Sequence, residues 1–404
     1  MSVKKIVLIT TGQPSCNPRI VKEADALSAA GYEVTVVYNY FIAWADENDR
    51  LLLSNSSWKY YSAGGSPRQN NKRYLFTRIR NKMAIIISLL SGNGFLMAER
   101  AQARAYDELL IAAKEIKADW YIGHNLGALA VAVNAAAFND AKAGFDFEDY
   151  YRGETLPGST IQGRITWLEQ KYLPRLSYFS ASSEMIKIAV QKDHPGFKGT
   201  VLTLHNCFPF KQQPQFKEKD CNDKTLQLFW FSQTVGINRG LEVLIDALKI
   251  INAPEIHLSL AGNCSEYMLS YIRSNSGDIV ENIHFLGIIP AEELPSLAAK
   301  FDIGLALETA FSENNNIALS NKIFTYLLAG NAIILSETAM QLAFNEQYEI
   351  GESFSVGDKE WLVEKIKLYK NHEKLNTQKK HNYELAKSQF NWEMESKKLL
   401  AVIN

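Results

Sequence analysis

With 404 residues, 47% of them apolar, the chain is long enough to bury two cores, and a formal net charge of -1 provides no overall field for nucleic acid. Cys16, Cys207, Cys221 and Cys264 are scattered without C-x-x-C or metal-ligand spacing, so a reduced, cytoplasmic protein is expected. The start MSVKKIVLITT lacks the apolar core and cleavage site of a signal peptide, and no run of about 18 apolar residues occurs, so the chain reads as soluble or peripheral.

In chain order, the apolar run Ile6 to Ile9 enters the loop TTGQPSCNPR, and a patterned helix from Ile20 to Ala30 stops at Gly31. The alternating run Glu33 to Tyr38 is the next expected strand. Strand, loop, helix and strand in this order argue for a parallel sheet, because parallel strands need a crossover. Ligands of such sheets sit beyond the carboxyl ends of the strands, so the loop Thr10 to Arg19 is expected to face a cleft. It contains no G-x-G-x-x-G, and a simple dinucleotide enzyme loses support.

Arg68, Lys72, Arg73, Arg78, Arg80 and Lys82 follow with no acidic residue among them, and then the apolar run MAIIISLL begins at Met83. Two readings stand level: attachment of Arg68 to Lys82 to an anionic membrane surface, or a surface helix followed by a buried core helix. A long helical pattern from Phe95 to Ile116 leads to a short strand from Asp119 that ends on His124 and Asn125. A histidine there, directly before the helix Leu126 to Ala141, points into the expected cleft and earns a functional reading. The strand Gly144 to Phe147 closes on EDYYRGE, whose carboxylates serve equally as loop caps or acceptor contacts, and no metal is assigned.

Strand Tyr178 to Ser182, helix Met185 to Gln191 and strand Thr200 to Leu204 complete this half. The polar, aperiodic stretch that follows, including KQQPQFKEKDCNDK, reads as an interdomain linker. The alternation restarts with strand Leu226 to Phe231, the loop SQTVGINRG and helix Leu241 to Ile251. Strands Ile256 to Leu260, Asn282 to Leu286, Ile303 to Leu307 and Ala332 to Leu335 come next, then helices such as Lys359 to Tyr369. The last helix, Glu393 to Val402, is expected to cross back to the first domain.

Within SNKIFTYLLAG, Ile323 with Leu327 and Phe324 with Leu328 form an apolar stripe, leaving Asn321, Lys322 and Thr325 on a polar face. Ser320 is placed as N-cap and Gly330 as C-terminal stop. A helix start with free N–H groups, the positive dipole end and a lysine suits phosphate. Read alone, the segment is more simply a capped helix with a solvated face, but its setting in a second α/β unit favours a ligand.

These segments together, Ser15-Cys16-Asn17-Pro18-Arg19, the strand-ending His124, the Asn206 turn, Phe231 to Gly240, Phe285-Leu286-Gly287 and SNKIFTYLLAG, resemble the retaining GT-B enzymes of glycosyltransferase family 4 over essentially the whole chain. The resemblance implies an α/β protein of two tandem Rossmann-like, doubly wound parallel-sheet domains facing a central cleft. It assigns residues 1–205, with the C-terminal helix 385–404, to an acceptor-binding domain, 206–224 to a linker, and 225–384 to a nucleotide-sugar donor domain. It further implies metal-independent transfer of a sugar from a nucleotide-diphosphate donor, with retention, to a glycan or lipid-linked acceptor in cell-surface polysaccharide synthesis. No cofactor beyond the donor is expected, the place of work is the cytoplasm or the inner membrane face, and nucleic acid is not a partner.

By the same resemblance, Gln233 and Arg239 stand where the family carries its two diphosphate-binding cations, so one cation has become a neutral amide. Ser320, Asn321, Lys322 and Thr325 complete the donor set, with Gly262 and Ile288 at the base, while Arg19, Asn125 and Asp149 fall on the acceptor side. The E-x7-E positions are Ile317 and Thr325, so neither carboxylate is present, and Glu313 and Glu308 both remain open as replacements from the loop. His124 and Glu313 are the catalytic candidates. The departures leave two rivals: a scaffold that kept the architecture but lost turnover, and a nucleotide-sugar epimerase.

Overall fold

The computed structural model describes residues 3–92 and 95–404. The chain divides into two compact units, one comprising residues up to Leu204 together with Ser396–Asn404, the other His205–Glu395.

Among the described residues, the first unit carries a seven-stranded sheet of β1 (Lys5–Thr10), β2 (Glu33–Asn39), β3 (Lys59–Ala63), β4 (Trp120–His124), β5 (Lys142–Phe147), β6 (Tyr178–Ala181) and β7 (Thr200–Thr203). All pairs are parallel, in the order β3-β2-β1-β4-β5-β6-β7. Val7, Leu8 and Ile9 are fully buried, as a strand covered on both faces requires. Strand order reverses between β1 and β4, where Thr10 pairs with His124, and this is the switch point at which parallel sheets open a crevice. Asn17 caps the helix Pro18–Ala29 by accepting from the amides of Arg19 and Ile20, which sets Arg19 on the first turn beyond β1. At the C-terminus, Leu399 and Ile403 of the helix Trp392–Ile403 pack into the same core as Ile6 and Leu8.

Among the described residues, the second unit carries a six-stranded parallel sheet of β8 (Leu226–Val235), β9 (Ile256–Cys264), β10 (Ile283–Gly287), β11 (Ile303–Ala306), β12 (Ala332–Ser336) and β13 (Gly351–Phe354). The order is β10-β9-β8-β11-β12-β13, so its switch point lies between β8 and β11. β8 runs past the expected end at Phe231, with a register shift against β9 between Phe231 and Thr234. Gly262 sits opposite that irregularity at φ +140°, and a Cβ there would lie 2.2 Å from the Ser232 carbonyl oxygen. Only glycine tolerates both conditions, which gives Gly262 a backbone duty before any ligand is considered.

Several expectations are corrected. The pattern from Phe95 to Ile116 is two helices, Ala98–Gln102 and Tyr106–Glu115, joined through extended backbone at Ala103. The basic residues from Lys72 on and MAIIISLL form one continuous helix, Asn71–Leu90, not a surface helix followed by a core helix. Residues 206–224 are tied to the second unit. The Lys219 amide donates to Asn376 at 2.7 Å, its ammonium lies 3.1 Å from Asp302, and Gln213 donates to the Tyr383 carbonyl at 3.1 Å. Polar composition here reflects side chains that bond to their own unit rather than a free tether.

Candidate functional site

At the first unit's switch point buried charged side chains face one another, with Glu23 Oε1 and His124 Nε2 left without a hydrogen bond among the described residues. The Arg19 guanidinium donates to both Asp146 oxygens at 2.7 Å and to the Leu204 carbonyl at 3.0 Å, and Ser180 donates to Asp146 at 2.6 Å. His124 is fully buried, with Nε2 3.1 Å from Glu23 and Nδ1 3.2 Å from Glu148 and 3.6 Å from Asp146. Asn17 donates to Glu148 at 2.5 Å. Burial alone would disfavour the imidazolium, but the Glu23, Glu148 and Asp146 carboxylates overcome it and push His124 up to about 10. Burial likewise acts against ionised Asp146, and Arg19 reverses that, holding Asp146 below the ordinary carboxylate range.

His124 therefore does not project into an opening, contrary to expectation: it is fully buried among three carboxylates. Its ring with Asp146 and Glu148 has the spacing of a metal site, but both oxygens of Asp146 already accept from the Arg19 guanidinium, whose positive charge a cation there would face. Arg19 is buried and is not a surface contact, while Asn125 is half-buried. Asn125, at φ +60°, accepts from the Thr10 hydroxyl at 2.8 Å and the Thr11 amide at 3.1 Å, pinning the loop after β1 to the end of β4. Asp149 is half-buried in the bend after β5, and partial burial with the charge of Asp149 pushes the nearby Glu154 up to about 7.

The second switch point is different. Glu308, just past β11, accepts from Lys322 Nζ at 2.9 Å, from Ser320 Oγ at 2.9 Å and from Asn315 Nδ2 at 3.1 Å, and its own amide donates to Ser336 at the end of β12 at 2.7 Å. Burial would raise the Glu308 carboxyl, but Lys322, Ser320 and Asn315 prevail and hold it below its ordinary value. Lys322 also lies 5.6 Å over the Trp230 ring. The loops after β8 and β11 are joined by the Thr309 hydroxyl donating to the Asn238 carbonyl at 3.3 Å. Gly240 at φ +78° is pressed against Leu307, where a Cβ would come within 2.7 Å.

Arg239 is exposed and donates to Ser232 Oγ at 3.1 Å, with Gln233 exposed nearby on β8. Ser320 stands at the N-cap of the helix Asn321–Ala329, but its hydroxyl turns to Glu308 and caps no amide; Gly330 ends the helix at φ +73° as expected. Thr325 departs from the expected polar face. It is fully buried, and its hydroxyl has no hydrogen-bond partner among the described residues. Glu313 is exposed at the start of the short helix Glu313–Ile317, and Ile288 is 75% exposed just beyond β10. The structure thus gathers Ser320, Lys322 and Glu308 into one bonded cluster, with Arg239 on the loop stitched to it. It does not bring Glu313 or Ile288 into that cluster. Of the two glutamates left open by the sequence, Glu308 is the one tied to the helix start. Glu23 is absent from the sequence candidates because it comes near His124 only through the fold.

Residues 239–401 match a family model described as glycosyl transferase-like. A comparison with curated proteins finds no match. In fold the chain is similar to HepE from Anabaena in complex with UDP and glucose, at TM-score 0.69 and 16% identity over 99% of each chain. It is similar to sucrose-phosphate synthase from Thermosynechococcus elongatus, at 0.70 and 13% over 99% of this chain and 98% of that one. A TarM variant from S. aureus, in complex with fondaparinux, alpha-GlcNAc-glycerol and UDP, gives 0.67 and 10% over 100% of both chains. The architecture is that of GT-B glycosyltransferase structures.

Proposed function

We propose that the chain is a glycosyltransferase that takes a sugar from a nucleotide-diphosphate donor bound on the second unit, and passes it, with retention and without metal, to a glycan or lipid-linked acceptor in the cytoplasm. The observation that carries the reading is the coincidence of the glycosyl transferase-like match over 239–401 with the one switch point where an exposed arginine, a lysine and a helix start share adjoining loops. The departing diphosphate gains negative charge as the bond from the anomeric carbon to phosphate oxygen breaks. Arg239 supplies a bidentate fork for it, and Lys322, positioned by Glu308, supplies a second charge with the first amides of the helix Asn321–Ala329. The acceptor oxygen bonds to the anomeric carbon, and its proton passes to the departing phosphate oxygen. In the first unit we assign Arg19 and His124 to positioning, since neither is exposed enough to touch a sugar. An acceptor in polysaccharide synthesis accords with the carbohydrate ligands named with HepE and TarM.

The test is a thermal-shift panel of UDP-, GDP-, ADP- and CMP-sugars, headed by UDP-glucose, followed by product analysis. A donor at 100 times its Kd adds about 2.7 kcal/mol of apparent stability. Stabilisation by one donor, slow release of free sugar and an acceptor product of unchanged anomeric configuration are expected. No stabilisation by any donor favours the scaffold; interconversion of two nucleotide sugars favours the epimerase.

A further inference from the structure

The helix Asn71–Leu90 turns two unlike faces. Its inner face is held by polar contacts: Arg80 lies 2.5 Å from Glu108 and 3.0 Å from Asp107, Asn81 donates to the Arg100 carbonyl at 2.6 Å, and Thr77, Ala84 and Ser88 are buried. The outer face carries Leu75, Phe76, Ile79, Met83, Ile86, Leu89 and Leu90, exposed by 47% to 82%. At 3.6 residues per turn these seven fall within one arc of about 140°. Lys72, Arg73, Arg78 and Lys82 are exposed along the same helix, and it contains no acidic residue. Of the six cations in the segment, Arg80 is committed inward and Arg68 lies 3.7 Å from Asp46, which leaves these four. The neighbouring loop adds exposed Phe41 and Trp44, and Tyr40 sets it against the helix by packing edge-on to Tyr74 at 5.6 Å.

A continuous apolar stripe of this size left facing outward marks an interaction surface. Two copies of the face would bring like charges together, whereas an anionic lipid surface complements both the stripe and its cations. Among the described residues no helix is long and apolar enough to cross a membrane, so the fitting geometry is parallel to the surface. We propose that the helix Asn71–Leu90 lies in the plane of an anionic bilayer, with Phe76, Ile79, Met83 and Ile86 in the acyl boundary and Lys72, Arg73, Arg78 and Lys82 on the lipid phosphates. The inference does not depend on the transfer reaction, since none of these residues belongs to the strand-end clusters.

Flotation of the full chain with vesicles of phosphatidylcholine, alone or mixed with phosphatidylglycerol, tests it. The protein is expected to float with the anionic vesicles, weakly with the neutral ones, and to be released by high salt. Combining Lys72→Glu, Arg73→Glu, Arg78→Glu and Lys82→Glu lowers partitioning onto anionic vesicles at least about tenfold. Combining Phe76→Ser, Ile79→Ser, Met83→Ser and Ile86→Ser abolishes it. Melting temperatures should hold in both variants, because every altered side chain points outward. As a readout that does not depend on multiple substitutions, the emission that Phe76→Trp adds to that of the wild type's seven tryptophans should shift to the blue on anionic vesicles and be quenched by brominated lipid. Failure of the wild type to float, equal flotation after charge reversal, or an unshifted Trp would overturn the proposal. So would a lipid-independent dimer, seen by sedimentation velocity, that the serine substitutions dissolve.

Discussion

At the first switch point, Arg19 and His124 meet Glu23, Asp146 and Glu148 inside the protein, and every one of these five except Glu148 is buried. At the second, Lys322 and Glu308 form a mostly buried pair at a helix start, and Arg239 stands exposed on the adjoining loop. Both clusters sit where the strand order reverses, at the carboxyl ends of parallel strands, so topology alone would rank them equally. What separates them is whether the cations have anything left to offer. The first cluster spends its charge on itself and holds strand ends together, while the second keeps Arg239 open to a ligand.

The largest expected effect is on the first cluster. Asp146→Ala strands Arg19 in the interior and should cost about 3–5 kcal/mol in urea unfolding. A much smaller loss would mean that the cluster is open to water and that the contrast is false.

Next comes nucleotide affinity. Arg239→Ala should weaken UDP binding by about 1.5–3 kcal/mol, read by titration calorimetry, while stability moves by no more than about 0.5 kcal/mol. Unchanged affinity would remove the distinction between a sealed and an open site.

Third, the two clusters should fail at opposite ends of the pH range. Because the folded His124 pKa of about 10 lies above its ordinary 6.5, its contribution is whole below about 6.5 and fades as pH rises through 10. Wild-type stability should therefore fall between pH 7 and 10 relative to His124→Gln, by at most about 1.4 kcal/mol per pH unit for a single proton. Glu308, held below its ordinary 4.5, contributes above that value and loses its contribution as pH falls. Denaturation midpoints across pH for His124→Gln and Glu308→Gln separate the limbs.

The smallest effect concerns Thr325. Its hydroxyl is buried without a partner, so Thr325→Val should be close to neutral for stability, within about 0.5 kcal/mol.

The order of strands and helices was legible because Val7 to Ile9, Ile303 to Leu305 and Ile333 to Leu335 are apolar runs that only strands buried on both faces need. β3 escaped notice because Lys59–Ala63 is an edge strand, exposed along most of its length and carrying no alternation. In the site, Lys322 and the end of the helix at Gly330 follow from local chemistry. Thr325 did not, because the helix Asn321–Ala329 is covered on nearly all sides, and an i,i+4 stripe cannot reveal packing on a second face. The fates of His124 and Lys322 were equally hidden: Glu23 lies on another helix and Glu308 in a preceding loop, and only folding makes either a partner.

The second unit's switch point is proposed to receive a diphosphate. A crystal soaked with UDP tests it most directly. Phosphate oxygens are expected at about 2.7–3.2 Å from the Arg239 guanidinium and the first amides of the helix Asn321–Ala329, with Lys322 drawn between Glu308 and the ligand. UDP lodged against the first unit's strand ends, or bound on the second unit away from Arg239 and that helix start, would contradict it.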